Sequence, residues 1–502
     1  MSFKIAFIGA GSVGFTRKLT CDLLAVPEFA DLELAYMDIS EPNVDMVYKL
    51  VKRDIEAAGL TGVKLSMTLD QREAIRGAKY VINVARVGGL DAFKLDVDIP
   101  LKYGIDQCVG DTLCAGGIMY GQRGIPFILG VCQDIREVGA PGCMMLNYGN
   151  PNAMITWAAN HFGGVQTLGL CHGVTGGHNQ IAKVLGLPKD EVEIICAGIN
   201  HQTWYISIKH KGEQLTEKLL EAYEKDESLC KTERVRIDML KRFGYYSTES
   251  NGHLSEYVPW YRKREDEIND WIDLGTWING ETGGYLRVCT EGRTWFRTEF
   301  PQWMAQPPRE IDAEHRGHEH GSYIIEGLET GRLYRGHFNV VNNGCITNLP
   351  DDAIVEVPGY VDYNGVNIPR VGDLPMACAA ICDVSINVQR LSVHAAINAD
   401  DLLLRQAFMM DPLTGAVCNP PEIWQLVDEM LVAQEEWLPQ YGTAIANAKK
   451  RLGAGNLIPT REGYQGAARL HTKTVEEMAL NKKAADKQAG EADKAQERPA
   501  AK

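Results

Sequence analysis

The sequence predicts an α/β fold in which an N-terminal, Rossmann-type, doubly wound parallel sheet is joined to a mixed α+β C-terminal region. Three features carry that prediction. Short apolar runs alternate with helical stretches over roughly residues 1–165, as in β–α–β units whose strands are buried on both faces. The first run ends in the glycine-rich turn "GAGSVG" and the second in an acid, Asp38. Past residue 190 two strand-like runs follow one another almost directly, so the alternation changes there.

In order, "FKIAFI" (3–8) is the first strand, "TRKLTCDLLAVPEFA" (16–30) a helix and "LELAYMDIS" (32–40) the second strand. The helical "DQREAIRGA" precedes a third strand, "KYVINVA" (79–85). "PFILGVCQDIREVG" is a further helix, and "CMMLNYGNPN" a strand closing in turn residues. A second region, 166–480, opens with the helical "HNQIAKVLGL" and the strands "VEIICAGIN" and "TWYISIKHKG". A charged helical stretch follows from about 213 to 243. The amphipathic "ADDLLLRQAFMMDP" and "PPEIWQLVDEMLVAQEEWLPQY" close the body. Residues 481–502 are rich in Ala and Lys and hold no large apolar side chain, which predicts a disordered or weakly helical tail.

Composition narrows the function. A chain of 502 residues with 45% hydrophobic and 23% charged content can bury a large core. Its net charge of -15 argues against nucleic acid or an anionic membrane as the main partner. The thirteen cysteines show no short-range disulfide framework, and "MSFKIAFIGAG" begins as a strand, so a reducing, cytoplasmic setting is expected. No apolar run approaches the ~20 residues of a membrane span.

"GAGSVG" matches the G-x-G-x-x-G pattern with Gly9, Gly11 and Gly14, and Ser12 opens the helix that follows. Gly9 is expected to permit the tight turn, Gly11 to let backbone approach a pyrophosphate, and Gly14 to let helix and strand pack closely. Asp38 ends the next strand, where a carboxylate accepts hydrogen bonds from an adenine ribose and repels a 2′-phosphate. The expected cofactor is therefore NAD.

A second pattern lies further on, where Cys171 and His172 stand side by side in "LCHGV" and His201 follows in "AGINH". A thiolate and a neutral imidazole suit a divalent transition metal and leave positions open for substrate oxygens. The residues alone equally allow a buried free cysteine and a hydrogen-bonded core histidine. "HRGHEHG" (315–321) invites a second-metal reading, although a charged helix start accounts for it.

The series "FIGAGS", "MDI", "GDTLCAGGI", "NYGNPNAM", "LCHGV", "AGINH", "TESNGHLSEYVPW", "HGSYIIEGL", "NLPDDAIVEVP" and "INVQRLSVHAAI" occurs in the order seen in family 4 of the glycoside hydrolases. The chain resembles that family over nearly all its length except the tail, and resembles its α-galactosidase and α-glucosidase branch more than its phospho-glycosidase branch. The resemblance implies an NAD-dependent hydrolase holding a divalent metal, usually Mn2+, an exception to two-carboxylate glycoside cleavage. It implies hydride removal from C3 of the sugar, loss of the C2 proton, elimination of the glycosidic oxygen, addition of water and return of the hydride.

The resemblance also assigns residues. Cys171 and His201 would be metal ligands, and Asn150 would contact substrate hydroxyls. His172 stands where phospho-sugar members carry an aspartate, and is a candidate acid to the leaving oxygen or a sugar-hydroxyl ligand. For the C2 base His253, Glu249 and Tyr257 are candidates, with His253 ranked first. Asp111 is expected to bind a hydroxyl, orient the base or cap a turn, and Arg86 to reach the substrate or remain solvated. The glycine and valine after His172 leave α-galactoside, α-glucoside and α-glucuronide open. A small-molecule glycoside partner and a homodimer or homotetramer are expected. Two other readings remain: an NAD-dependent sugar or hydroxy-acid dehydrogenase with net turnover of NADH, and a non-catalytic NAD-responsive binding protein.

Overall fold

The computed structural model describes residues 2–482, and thirteen strands form one sheet. In chain order they are β1 (Lys4–Ile8), β2 (Glu33–Met37), β3 (Lys64–Thr68), β4 (Ala78–Asn83), β5 (Met144–Asn147), β6 (Thr167–Gly169), β7 (Glu193–Ile199), β8 (Gln202–His210), β9 (Glu213–Gln214), β10 (Tyr246–Ser247), β11 (Tyr334–Val341), β12 (Ile354–Asp362) and β13 (Gly365–Asn367). The order β3-β2-β1-β4-β5-β6 is parallel throughout. This is a doubly wound arrangement with its switch point between β1 and β4, where the carboxyl ends of the strands open a crevice. β6 lies just past the boundary expected near 165, and the sheet continues beyond it without a break. β11 pairs antiparallel with β6 through Asn339 and Gly169, and β12, β7, β8 and β10 follow, all antiparallel.

Burial explains which elements form. β1, β2, β4 and β5 carry almost wholly buried apolar residues, as parallel strands covered on both faces must. β3, "KLSMT", is a largely exposed edge strand with no apolar run, so no pattern of buried apolar residues marks it in the sequence. The expected helix at 16–30 is Val13–Leu24 followed by a separate 3-10 turn at Pro27–Phe29, because Pro27 cannot donate into a continuing helix. The helix read at 126–139 begins twelve residues earlier and spans Cys114–Val138. The stretch 213–243 divides into three helices, Thr216–Lys225, Glu227–Thr232 and Arg234–Phe243, with the Asp226 side chain capping the second.

The largest apolar core draws on both halves of the chain and includes Ile8, Met119, Trp157, Trp204, Tyr257, Val357 and Phe408. No helix of the described residues is long and apolar enough to cross a membrane. The expected tail lies outside the described residues but for its first two positions.

Candidate active site

The carboxyl ends of β1, β2 and β4 build a cradle at the switch point. Gly9 has φ +88°, and a Cβ there would lie 2.5 Å from the Ala85 Cα, so only glycine fits. A Cβ on Gly11 would come within 2.8 Å of the Asn43 Cβ and of Asp38 Oδ2. The backbone N–H of Gly11 and of Ser40 each donate to the Asp38 carboxylate at 2.8 Å, which fixes its orientation. Ser12 is exposed and precedes the helix Val13–Leu24 with its hydroxyl uncommitted to capping. The reading of Gly14 as a packing glycine is corrected: a Cβ there would meet nothing within 4 Å, so the strand does not press on it. These residues fit a dinucleotide, with tight turns, an open helix N-terminus and a positioned acid.

Cys171 lies two residues past the end of β6, and His201 occupies the turn between β7 and β8 with φ +63°. Thr112 Oγ1 lies 2.9 Å from His201 Nδ1, which leaves Nε2 as the ring nitrogen free to act as a ligand. Glu249 completes the group: Cys171 Sγ, a His201 nitrogen and a Glu249 oxygen all lie within 4.8 Å of one another. Glu249 Oε2 is buried without a hydrogen-bond partner among the described residues. A buried orphan oxygen beside a thiol and an imidazole is a donor set that suits a divalent transition ion. Gly173 permits the approach, since a Cβ there would sit 2.4 Å from Glu249 Oε2. The Cys171 thiol is pushed well up by burial, with the nearby Glu356 and Glu249 carboxylates adding to it.

His172 turns away from this group. Its Nε2 meets Glu319 Oε2 at 2.7 Å, its ring stacks 6.2 Å from that of Tyr148, and it is half exposed. Burial works to raise the Glu319 carboxyl, but His172 and Lys18 outweigh it and bring it down to about 2.

Asp111 is fully buried and gathers three groups: Asn150 Nδ2 at 2.9 Å, Thr112 Oγ1 at 2.9 Å and Arg86 Nη2 at 3.4 Å. Burial raises the Asp111 carboxyl, yet Arg86, His201 and Asn150 outweigh this and hold it below its ordinary range. The Arg86 guanidinium stacks over Phe93, Tyr120 and Tyr285, so it is packed and not free in solvent.

The short helix Asn251–Tyr257 delivers the remaining candidates. His253 lies 5.1 Å from the His201 ring, its Nδ1 is 2.5 Å from Ser250 Oγ and 3.7 Å from Glu249 Oε1. Burial lowers its pKa to about 4, opposed by Glu249. Glu249 is itself lowered, since His253, His201 and Arg236 outweigh its burial. Tyr257 is fully buried, its hydroxyl has no hydrogen-bond partner among the described residues, and burial with the Glu256 and Asp111 charges pushes it well up.

The structure thus brings Cys171, His201, Glu249 and His253 into one cluster and ties Asp111, Asn150 and Arg86 into an adjoining network. It separates His172 from the cluster by its bond to Glu319. Sequence reasoning missed Thr112, Glu256, Glu319 and Glu356. Thr112 is the neighbour of Asp111, whereas Glu319 and Glu356 reach the site only through the tertiary fold. Glu356 is buried, accepts from Asn200 Nδ2 at 3.2 Å and is raised to about 8 by burial.

A dinucleotide cradle joined to a thiol–imidazole–carboxylate cluster defines a class of NAD-type proteins with a metal-suited second site. The comparisons place it within that class. Residues 4–187 match the model of the family 4 glycosyl hydrolases, and residues 196–414 match that of the family 4 glycosyl hydrolase C-terminal domain. The chain belongs to family 4 of the glycosyl hydrolases. It is 56% identical over 485 residues, 96% of its length and 98% of the relative's, to an α-galactosidase of Rhizobium meliloti (strain 1021). A second α-galactosidase, of Bacillus subtilis (strain 168), is 32% identical over 87% of this chain and 99% of its own. Among solved structures, a 6-phospho-α-glucosidase from gut microorganisms in complex with NAD and glucose-6-phosphate superimposes with a TM-score of 0.73, at 26% identity over 88% of this chain and 99% of that one.

Proposed function

We propose that this protein is an α-galactosidase that works with NAD and a divalent metal ion, Mn2+ being the expected one. The observation that carries the reading is the cluster of Cys171, His201 and Glu249 at the edge of an NAD-type cradle, in a chain 56% identical over 96% of its length to an α-galactosidase. When bound, the dinucleotide supplies a reversible hydride acceptor for a sugar C–H and the ion a Lewis acid for the adjoining oxygens.

The protein's own groups then have distinct tasks. Asp38 takes the ribose hydroxyls while Gly9, Gly11, Ser12 and the open side of Gly14 accommodate the pyrophosphate. Cys171, His201 and Glu249 hold the ion. Glu249 is therefore assigned as a ligand and not as the C2 base. Asn150, Asp111 and Arg86 grip sugar hydroxyls, because Asp111 already orders the other two.

His253 removes the C2 proton. With Ser250 Oγ accepting from its Nδ1–H, the lone pair is left on Nε2, and burial keeps the imidazole neutral at pH 7. Tyr257, held well above its ordinary range, is the poorer base. His172, with Nε2 anchored by Glu319, presents Nδ1 to the leaving oxygen. A dehydrogenase has no need of the Cys171 cluster and is not favoured, and neither an α-glucuronidase nor an α-glucosidase has a comparable similarity behind it.

The test is an aryl α-galactoside with and without NAD and Mn2+. Aglycone release that needs both, with no net NADH, supports the reading; stoichiometric NADH would point to the dehydrogenase, and no turnover on any α-glycoside to a binding protein. A homodimer or homotetramer is proposed with it, to be measured by sedimentation. A cytoplasmic setting is proposed too, supported by thirteen cysteines that are all unpaired.

A further inference from the structure

Four adjoining strands lie in the order β6-β11-β12-β7, and one row of residues runs straight across them. Gly169 stands opposite Asn339, Asn339 opposite Glu356, and Glu356 opposite Gly198. Each end of the row lies just ahead of a member of the metal cluster, since Cys171 is two residues past Gly169 and His201 three past Gly198. Asn339 Nδ2 donates to the Gly169 carbonyl at 3.3 Å. At the other end Asn200 Nδ2 donates to Glu356 Oε2 at 3.2 Å. Asn200 precedes His201 in the turn between β7 and β8, and its side chain also hydrogen-bonds to Cys171. We propose that Glu356 is a positioning residue for the metal cluster: it fixes the Asn200 amide with its N–H edge toward Cys171, and so ties the sulfur to the turn that presents His201. This rests on the assignment of Cys171 and His201 as metal ligands.

The direction of the Asn200 amide depends on that bond. Glu356 Oε2 can only accept here, so it is the Nδ2 edge of the amide that must face it. Asn200 Oδ1, on the other edge, is buried and forms no hydrogen bond among the described residues, so nothing on that side fixes the group. Asn200 and Glu356 are both buried, which leaves no bulk water to replace a lost partner. With Nδ2 toward it, the Cys171 sulfur has a donor that favours the thiolate, the form that takes an ion. With the amide turned over, an oxygen would face the sulfur and oppose its charge. The turn needs the same hold. His201 has φ +63°, a left-handed backbone that costs free energy for a residue with a Cβ and persists where its neighbours enforce it.

The experiment compares the wild type and Cys171→Ser with Glu356→Gln, Glu356→Leu, Asn200→Ala and the double variant Glu356→Leu/Asn200→Ala, all as full chains. Mn2+ affinity is read from the spin-resonance signal of the free ion, and the sulfur-to-metal charge-transfer absorption is read on the Co2+-loaded proteins. Glu356→Gln keeps an acceptor for Asn200 Nδ2 and is expected to match the wild type in both. Glu356→Leu and Asn200→Ala are each expected to bind Mn2+ about tenfold or more weakly and to shift the Co2+ absorption. The double variant should bind no more weakly than Asn200→Ala alone, because Glu356 acts through that amide. Glu356→Leu as tight as the wild type, Glu356→Gln as weak as Glu356→Leu, or losses that add in the double variant would each overturn the proposal, and a loss in Cys171→Ser would still leave the metal site standing. Asn200→Ala reads the same bond from the turn, so unchanged affinity there overturns the proposal even where Glu356→Leu does not fold. Mn2+ affinity unaffected by Cys171→Ser would overturn the metal assignment and this proposal with it.

Discussion

Replacing Glu256 by glutamine tests how the loop that carries Asp111 and Thr112 is held. The Glu256 carboxylate is fully buried and accepts three backbone N–H bonds, from Cys108 at 2.7 Å, Val109 at 3.0 Å and Gly110 at 3.1 Å. Burial nonetheless dominates and raises its pKa to about 7, against the hydrogen bonds and Arg262, which pull it down. Because the folded value lies above the unfolded one, the folded state binds the proton more tightly. Stability from this group is therefore present below about pH 4.5 and lost as pH rises to about 7, by about 3 kcal/mol at 1.36 kcal/mol per unit. Glutamine cannot ionise, so it escapes this loss. It keeps an acceptor for Cys108 and Val109 but turns an amide N–H toward Gly110, at a cost of about 1–3 kcal/mol for the donor left unpaired. The variant is thus expected to be less stable than the wild type at pH 5 and as stable or more so at pH 8. Urea midpoints at the two pH values measure the difference. Hydrogen exchange should rise at the Gly110 amide more than at Cys108 or Val109. A difference in midpoint that stays constant from pH 5 to pH 8 would refute the argument.

Four further outcomes are expected. Cys171→Ser should stay folded and keep NAD while its Mn2+ affinity, read from the spin-resonance signal of the free ion, falls at least about tenfold, since a hydroxyl is a poorer ligand than a thiolate; full activity in the variant after chelator treatment would remove Cys171 from the metal site. Asp38→Ala should weaken NAD binding, measured by calorimetry, more than it weakens the glycoside, because it removes the ribose acceptor and frees Gly11 N–H and Ser40 N–H together. Gly9→Ala should also lose NAD, as its Cβ meets the Ala85 backbone at 2.5 Å; unaltered affinity would contradict the cradle. Substrate deuterated at C2 should exchange with solvent during turnover in the wild type and in Tyr257→Phe but not in His253→Ala, and retention of all deuterium by the wild type would sink the elimination route.

What the sequence could disclose was whatever is local. Gly9, Gly11 and Asp38 sit close to a strand end, so a short pattern finds them, and buried parallel strands announce themselves as apolar runs. β3 does not, because an edge strand needs no apolar face. The start of the helix Cys114–Val138 was hidden for the opposite reason. Gly116, Gly117, Gly121 and Gly124 read as breakers, yet a Cβ on Gly117 would lie 2.5 Å from the Thr112 carbonyl carbon and one on Gly116 2.5 Å from the Gly110 oxygen. The glycines lower helix propensity in exchange for close contact with the very loop that presents Asp111 and Thr112.

That contact explains why the site had to be found in three dimensions. His201 is oriented by Thr112, the Thr112 loop lies against the glycine face of a helix, and its other side is pinned by Glu256 from the helix that also carries His253. One short helix therefore carries His253, the proposed C2 base, on one side and, through Glu256, holds the loop whose Thr112 orients His201, a proposed metal ligand, on the other. Residues 111, 201 and 253 are far apart in sequence and share no spacing that a pattern could detect. Their coupling makes a prediction of its own: Glu256→Gln should disturb Mn2+ affinity through His201 as well as stability, and Thr112→Val, which removes the hydroxyl at His201 Nδ1 while keeping its volume, should lower Mn2+ affinity without the pH-dependent change in urea midpoint. Equal pH dependence in the two variants would mean that Glu256 is not the titrating group.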